Sequence, residues 1–554
     1  MAFNMTRKSS SHPALAKGIS LSPSSLILLT AAFITLADNG AFWSSLAQRM
    51  DLINLKGFGF VLTFFSLITG ITALFFLVLG QRYLLKPLLI LFLFLSAATA
   101  YFNNIGVVFD TLMVQNMLET IKDQNTNEAM ELLSPSLLWH LFLFGLLPSV
   151  FIILVRVRPR KILRDLLCRL GTMVIILVVI TTLVMLNFKY LTYFSRENRD
   201  LRMAITPVYP VYSMIKLIKK SHADDEIPFH VIGQDASEQH SGKKRVGIMV
   251  VGETARADHF SLNGYPLPTN PLLEKQDVVS YSNAWSCGTS TAYSVPCMFS
   301  FLEKKQYSPG KAQHQSNLLD VLETAGVKTF WRDNNSSCKG VCERTESEKL
   351  HRDPDPKSPF FNAGEYSDEV LLEGLDSLIE QRHGDVLIVL HTMGSHGPAY
   401  YKRYPREFAR FQPACESASP HECSDEAVLH AYDNTILYTD HVLNKLIEFL
   451  KEREGQYDSF MLYASDHGES LGEHGVYLHG LPYSLAPDAQ THVPIIIWLS
   501  DGLKTARNLP ERATKACADS KVSHDNLAHT LLGMFDANTS LYRKDLDLLG
   551  GRCK

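Results

Sequence analysis

The chain has 554 residues, 46% hydrophobic and 20% charged, with a formal net charge of −4. That length exceeds one compact domain, and the absence of any basic excess argues against a nucleic-acid partner. The averages hide two unlike halves: about the first 190 residues carry long apolar runs, and the rest has the composition of an ordinary soluble α/β protein.

A bilayer crossing takes roughly 20 mostly apolar residues. Five segments meet that measure, near Ser24–Phe42, Phe58–Leu79, Leu85–Phe102, Leu137–Val155 and Leu170–Leu186, although Asp38 and Asn39 interrupt the first. A signal peptide is the rival for that segment. Four further spans and the lack of a clear small-residue cleavage site favour a retained helix. Arg7, Lys8 and Lys17 precede the first span, Arg82 and Lys86 follow the second, and six basic residues from Arg156 to Arg169 follow the fourth. All fall on one side if every span crosses. Positive loops mark the cytoplasmic side, so the C-terminal part is expected to be exported.

The polar stretch Gly106–Pro135 includes Gln115-Asn116-Met117-Leu118-Glu119-Thr120 and reads as a helical loop on the exported side. Residues 191–230 form a connector. Within it, Val208–Lys220 mixes apolar residues with Lys216, Lys219 and Lys220, which suits either the headgroup layer or packing on the soluble part. The expected organisation is a transmembrane domain over 1–190, an interfacial connector over 191–230 and a catalytic domain over 231–554.

In that last region, strand-like runs Val246–Val251, Val327–Trp331, Val386–Leu390, Phe460–Tyr463 and Pro494–Leu499 alternate with helical stretches Ser316–Ala325, Asp368–Gln381 and Glu426–Lys451. The alternation predicts an α/β/α domain with a mostly parallel sheet. Ligands of such sheets gather beyond the carboxyl ends of the strands. Glu253, His391, His396, Asp466 and His467 all fall there.

Two carboxylates and an imidazole from Glu253, Asp466 and His467 suit zinc with one position left for a reacting oxygen. A hydroxyl in that position deprotonates far more easily than in water and becomes a nucleophile. Cys287-Gly288-Thr289-Ser290-Thr291-Ala292-Tyr293-Ser294-Val295-Pro296-Cys297 supplies hydroxyls between two cysteines placed to clamp them. This chemistry leaves Thr289, Ser290, Thr291 and Ser294 open as the nucleophile. His396 and His479 are further candidates for holding a phosphate oxygen, transferring a proton or binding a second metal, with His391 a weaker one. Lys339, between Cys338 and Cys342, is placed to hold phosphate charge.

Of nine cysteines, only Cys168 falls on the cytoplasmic side. An even number of exported cysteines suits disulfides in an oxidising compartment. Close sequence pairs suggest Cys287–Cys297, Cys338–Cys342 and Cys415–Cys423, leaving Cys517 and Cys553.

At these residues the chain resembles the phosphoethanolamine transferases of Gram-negative inner membranes, whose members modifying lipid A confer polymyxin resistance. The resemblance spans nearly the whole chain. It rests on Gly252-Glu253-Thr254-Ala255-Arg256, Cys287 through Cys297, His391 through Gly397, and Ser465-Asp466-His467-Gly468-Glu469-Ser470-Leu471-Gly472-Glu473. It implies five transmembrane helices and a periplasmic domain of the alkaline phosphatase and sulfatase type. It implies Thr291 as the nucleophile, joined at zinc by Glu253, Asp466 and His467. His396, His479 and Lys339 match positions near the substrate phosphate, or, for the two histidines, a second zinc. Asn116 and Thr120 look like contacts to the donor lipid.

The implied reaction takes phosphoethanolamine from phosphatidylethanolamine onto Thr291 and passes it to an acceptor phosphate, expected on lipid A, in a monomeric enzyme. Core heptose or a protein glycan would use the same donor chemistry. A membrane-anchored sulfatase or phosphodiesterase, or a glycerophosphate transferase of the lipoteichoic-acid type, is the enzymatic rival. A transporter or scaffold is disfavoured because the spans hold few ionisable groups.

Overall fold

The computed structural model describes residues 19–49, 55–81, 83–107, 114, 134–158, 161–224, 228–238, 242–350, 355, 357–362, 364–418, 420–509 and 518–550. Asn116, Thr120, Cys517 and Cys553 lie outside them. The chain forms two compact units, Met1–Tyr101 with Leu137–Tyr209, and Phe102–Ser136 with Pro210–Lys554.

The first unit is helical. In chain order it contains α1 (Pro23–Ala37), α2 (Gly40–Arg49), α3 (Leu55–Leu79), α4 (Leu85–Asn104), α5 (Pro135–Leu154) and α6 (Ile162–Glu197). The last four each hold an apolar stretch long enough to cross a membrane. The expected single span over Ser24–Phe42 is instead a broken pair, α1 and α2, bent by 56°. The break falls where the sequence turns polar. Asn39 donates from Nδ2 to Ile34 O and Thr206 O and accepts the Thr206 N–H on Oδ1. These bonds replace helical partners and hold the corner.

The second unit is built on an eight-stranded sheet. Its strands are β1 (Arg245–Gly252), β2 (Val278–Trp285), β3 (Lys328–Asp333), β4 (Glu346–Lys349), β5 (Val386–His391), β6 (Asp458–Ser465), β7 (His492–Leu499) and β8 (Val522–Ser523). The spatial order is β8-β2-β7-β6-β1-β5-β3-β4. Only β7 runs against the rest. The central strands β1, β5 and β6 are buried along their whole length, as apolar runs covered on both faces must be. Each Val, Leu or Ile side chain so enclosed contributes roughly 1.5–3 kcal/mol.

Two apolar layers sandwich the sheet. One is centred on Met249, Trp331, Leu387 and Leu462, the other on Ile248, Phe330, Ile388 and Met461. The long helix Asp425–Lys451 covers the second face. Ser424 caps it by accepting the Ala427 N–H, and Asp425 and Glu426 in its first turn complement the positive helix start. The helix expected over Asp368–Gln381 is a 3₁₀ turn, Asp368–Leu372, and a short helix, Leu375–Glu380. Gly374 parts them with φ of +64°, a left-handed conformation that glycine adopts without strain.

Candidate active site

β1 and β6 are parallel neighbours in register, with Gly252 opposite Ser465. The chain leaves both strands at the same level, so Glu253 and Asp466-His467 emerge side by side. Ligand atoms of Glu253, Asp466 and His467 lie within 4.8 Å of one another, and all three residues are buried. His467 Nε2 is 3.4 Å from Glu253 Oε1 and 3.3 Å from Asp466 Oδ2. The other His467 nitrogen, Nδ1, faces the Gly468 carbonyl at 2.9 Å, so it carries the proton and leaves Nε2 with a lone pair.

Local structure holds each group. Asp466 Oδ1 accepts the N–H groups of Thr254 and His467. Ser465 Oγ accepts from Ala255 N and donates to His467 O. Thr254 sits at φ of +50°. Tyr432 clamps it, donating to Thr254 O and accepting from Arg256 N. Gly394 packs so closely that a β-carbon there would meet Glu253 O at 2.7 Å.

The loop after β2 ends at Ser290, and the helix Thr291–Met298 begins with Thr291 as its first residue. Thr291 Oγ1 lies 3.3 and 3.2 Å from the two Glu253 carboxylate oxygens and 3.4 Å from His467 Nε2. Of the other hydroxyls, Thr289 donates to Leu481 O, and Ser294 accepts from Gly288 N. The Cys287–Cys297, Cys338–Cys342 and Cys415–Cys423 pairs are joined as disulfides, and Cys168 is free. The first of them links the two ends of the Thr291 segment.

A row of imidazoles continues from the cluster. His467 and His479 ring centres are 4.2 Å apart, and His479 and His396 are 5.7 Å apart. His479 Nδ1 is 3.0 Å from Glu469 Oε2, and Glu469 also accepts from Tyr400 OH. Lys339 donates to Ser336 Oγ, and its charge is felt at His396. His391 stands apart from this row: its Nδ1 faces Asp333 Oδ2 at 3.2 Å, within a fully buried pair.

Three residues to which the sequence reading gave no role of their own, Arg256 among them although it lies in the Gly252–Arg256 motif, support the site. Asn335 donates from Nδ2 to Glu253 Oε2 at 2.9 Å and to Thr392 O. It lies two residues past the end of β3, so the strand-end rule applied to Asn334-Asn335 would have found it. His524 accepts the Cys287 N–H on Nδ1 at 3.1 Å and faces Ser465 O with Nε2 at 2.9 Å. Arg256 ties the Glu253 loop to Glu473 and to the Glu469 carbonyl. Neither His524 nor Arg256 carries a local signal for these contacts, because their partners are remote in sequence.

Burial governs the electrostatics. It pushes the Asp466 carboxyl up to about 6 and raises Glu469. It holds His467 and His396 well below the usual imidazole range. Asp466 Oδ2 is buried with no hydrogen-bond partner. A buried oxygen of that kind is costly without compensation. Two carboxylates, one imidazole lone pair and an adjoining hydroxyl are the donor set of a zinc site open at one position. The residues therefore fit that metal.

A mostly parallel α/β/α domain with this cluster at its strand ends, alongside a unit of membrane-length helices, defines a membrane-anchored enzyme of the alkaline phosphatase and sulfatase superfamily. Residues 245–537 match the sulfatase family model, and residues 68–222 match that of the phosphoethanolamine transferases EptA/EptB. Phosphoethanolamine transferase EptA of Escherichia coli K12 is 36% identical over 545 residues, covering 97% of this chain and 98% of that protein. Phosphatidylethanolamine transferase Mcr-1 of Escherichia coli is 40% identical over 533 residues, covering 93% and 95%. The integral membrane lipooligosaccharide phosphoethanolamine transferase A of Neisseria meningitidis superposes with a TM-score of 0.91 at 32% identity, covering 97% of this chain and 99% of that one. The chain belongs to the phosphoethanolamine transferase family, as an inner-membrane enzyme with its catalytic domain in the periplasm.

Proposed function

We propose that the chain transfers phosphoethanolamine from phosphatidylethanolamine to a phosphate of lipid A through a phosphothreonine at Thr291. The observation that carries this reading is the placement of Thr291 Oγ1 within 3.2–3.4 Å of the Glu253 carboxylate and His467 Nε2. No other hydroxyl of the disulfide-bounded segment is described with those partners.

Zn²⁺ held by Glu253, Asp466, His467 and the Thr291 hydroxyl would supply the charge that brings a hydroxyl pKa toward neutrality. His396 and His479 could hold a second ion or work without one. In the first stage Thr291 Oγ attacks the donor phosphorus, the bond to the diacylglycerol oxygen breaks, and diacylglycerol leaves with a proton. In the second stage an acceptor phosphate oxygen attacks the same phosphorus, the bond between phosphorus and Thr291 Oγ breaks, and Thr291 regains its hydroxyl with a proton from the acceptor phosphate or solvent. Glu253 accepts the Thr291 hydrogen bond and orients its lone pairs. His396, held neutral by burial, and His479 can donate hydrogen bonds to phosphate oxygens or pass the leaving-group proton. Lys339 holds phosphate charge. Asn116 and Thr120 contact the donor lipid.

The reading takes the catalyst to be a monomer. An added ethanolamine ammonium lowers the negative charge of lipid A and so weakens attraction of cationic peptides such as polymyxin. Mass spectrometry of lipid A from cells with and without the protein tests the reading: a phosphoethanolamine increment absent from both would end it.

A further inference from the structure

Beside the Thr291 segment lies a cleft of about 600 Å³. Its lining contains none of Thr291, Glu253, Asp466, His467, His396, His479 or Lys339. Two aromatic rings and three lysines, Lys304, Lys305 and Lys521, give it character. Trp285 ends β2, just before Cys287, and its indole stacks on His492 with centres 5.1 Å apart. Tyr483 follows the His479 loop. Lys521 Nζ lies 5.5 Å from the Trp285 ring centre, and Lys304 Nζ lies 2.9 Å from that of Tyr483.

Three lysines face three carboxylates in the lining, and one of the three carboxylates is taken by an arginine from outside it. Glu303 pairs with Arg543, and Asp525 accepts the Lys304 backbone N–H at 2.8 Å. Asp488 is the other carboxylate in the lining. Lys304 spends one of three ammonium donors on Ser286 O. Burial lowers its pKa to about 8; the Asp525 carboxylate opposes that shift and the Lys521 charge adds to it. Two lysines close enough to feel each other favour an anion between them. The aromatic faces favour a flat C–H surface against their negative quadrupole. A pyranose bearing a phosphate presents both.

The cleft is also fixed relative to the nucleophile. Its wall residues Ser523, Asp525 and Asn526 flank His524, whose ring joins Cys287 N to Ser465 O. An occupant is thereby indexed to the start of the Thr291 segment and to the strand that presents Asp466.

We infer that this cleft holds the non-reacting sugar phosphate of the acceptor, so that the enzyme selects a short saccharide bearing two phosphates. The inference rests on the proposed transfer to lipid A. The reacting phosphate must reach Thr291, so an anion in the cleft belongs to another part of the same acceptor.

The test uses the full-length enzyme in lipid nanodiscs with phosphatidylethanolamine, offered bisphosphorylated or monophosphoryl lipid A. Wild type should show the lower KM for the bisphosphorylated acceptor. Lys521→Gln and Lys304→Met should each raise that KM roughly three- to tenfold, the size of one partly exposed charged contact, and leave the monophosphoryl KM in place. Single-turnover release of diacylglycerol reads the first stage and reports folding. Equal treatment of the two acceptors by wild type overturns the inference, as do variants that lose rate with both acceptors alike or lose the first stage in step. Adduct formation by wild type with transfer to neither lipid overturns the acceptor reading itself.

Discussion

Asn335 reaches across from the end of β3 to donate a hydrogen bond to Glu253 Oε2 at 2.9 Å. Its second contact, to Thr392 O, fixes the amide between two strand ends. One carboxylate oxygen of Glu253 is thus oriented by a neutral donor, which leaves the residue's charge available to a metal and to Thr291. Such supporting partners tune affinity without touching the ion. Asn335→Ala should lower zinc affinity and transfer rate about 10- to 100-fold. Zinc titration with a competing chelator checks this, and unchanged affinity would remove Asn335 from the site.

Thr291→Ala should insert, fold and transfer nothing, because the hydroxyl that faces Glu253 and His467 is gone. Thr291→Ser should keep partial activity. Peptide mapping after incubation with phosphatidylethanolamine should find the adduct on residue 291. An adduct on Thr289, Ser290 or Ser294 would show that a different hydroxyl attacks.

Asp466→Asn replaces a buried acceptor-only oxygen by an amide and removes one charge from the cluster. Zinc content, measured by elemental analysis of purified protein, and transfer should fall together by at least about 10-fold. Chelation of the wild type should abolish transfer and zinc readdition should restore it. A fully loaded Asp466→Asn protein contradicts the ligand set.

Tyr432→Phe deletes the hydroxyl that bonds both Thr254 O and Arg256 N. Two buried backbone groups lose a partner while Thr254 remains at positive φ. The expected cost is about 1–3 kcal/mol of stability, with a fall in rate because Thr254 flanks Glu253. Denaturant unfolding followed by tryptophan fluorescence measures the first, and a wild-type midpoint would refute it.

Asp440 provides a pH test away from the Glu253, Asp466 and His467 cluster. Its carboxylate accepts the Leu272 and Leu273 N–H groups at 3.0 and 2.9 Å, yet burial raises its pKa to about 7. The folded state therefore holds this proton more tightly than the unfolded state. The group's stabilising contribution is complete below the unfolded value near 4 and is lost as pH rises through about 7. Asp440→Asn should flatten the pH dependence of the unfolding midpoint between pH 5 and 8, gaining on wild type at the alkaline end. Parallel profiles for the two proteins would rule out this contribution.

The sheet and the clustering of Glu253, Asp466 and His467 were readable because their signals are local. Val246–Val251 and Phe460–Tyr463 are unbroken apolar runs, and Glu253 and Asp466-His467 follow them directly. β2 escaped notice because Val278–Trp285 alternates polar and apolar residues with a partly exposed face. β4, Glu346–Lys349, is a charged edge strand with no apolar signature. The kink at Asp38-Asn39 depends on Thr206, 167 positions away, and Asn335 and His524 likewise act on partners far along the chain. Contacts of that kind are properties of topology and leave no periodicity to read.

The His524 ring has a further consequence for how the site's titration should be understood. Backbone groups have fixed roles, so the Cys287 N–H dictates an acceptor at Nδ1 and the Ser465 carbonyl dictates a proton on Nε2. Burial takes the ring's pKa down to about 3. This imidazole is locked in one tautomer and does not exchange protons at any pH where the enzyme lives. It is a strut, and it spaces the Thr291 segment from the Asp466 strand by the width of a five-membered ring. A bell-shaped rate profile will be blind to it, and a histidine counted by its closeness to the catalytic centre would be miscounted as a proton carrier.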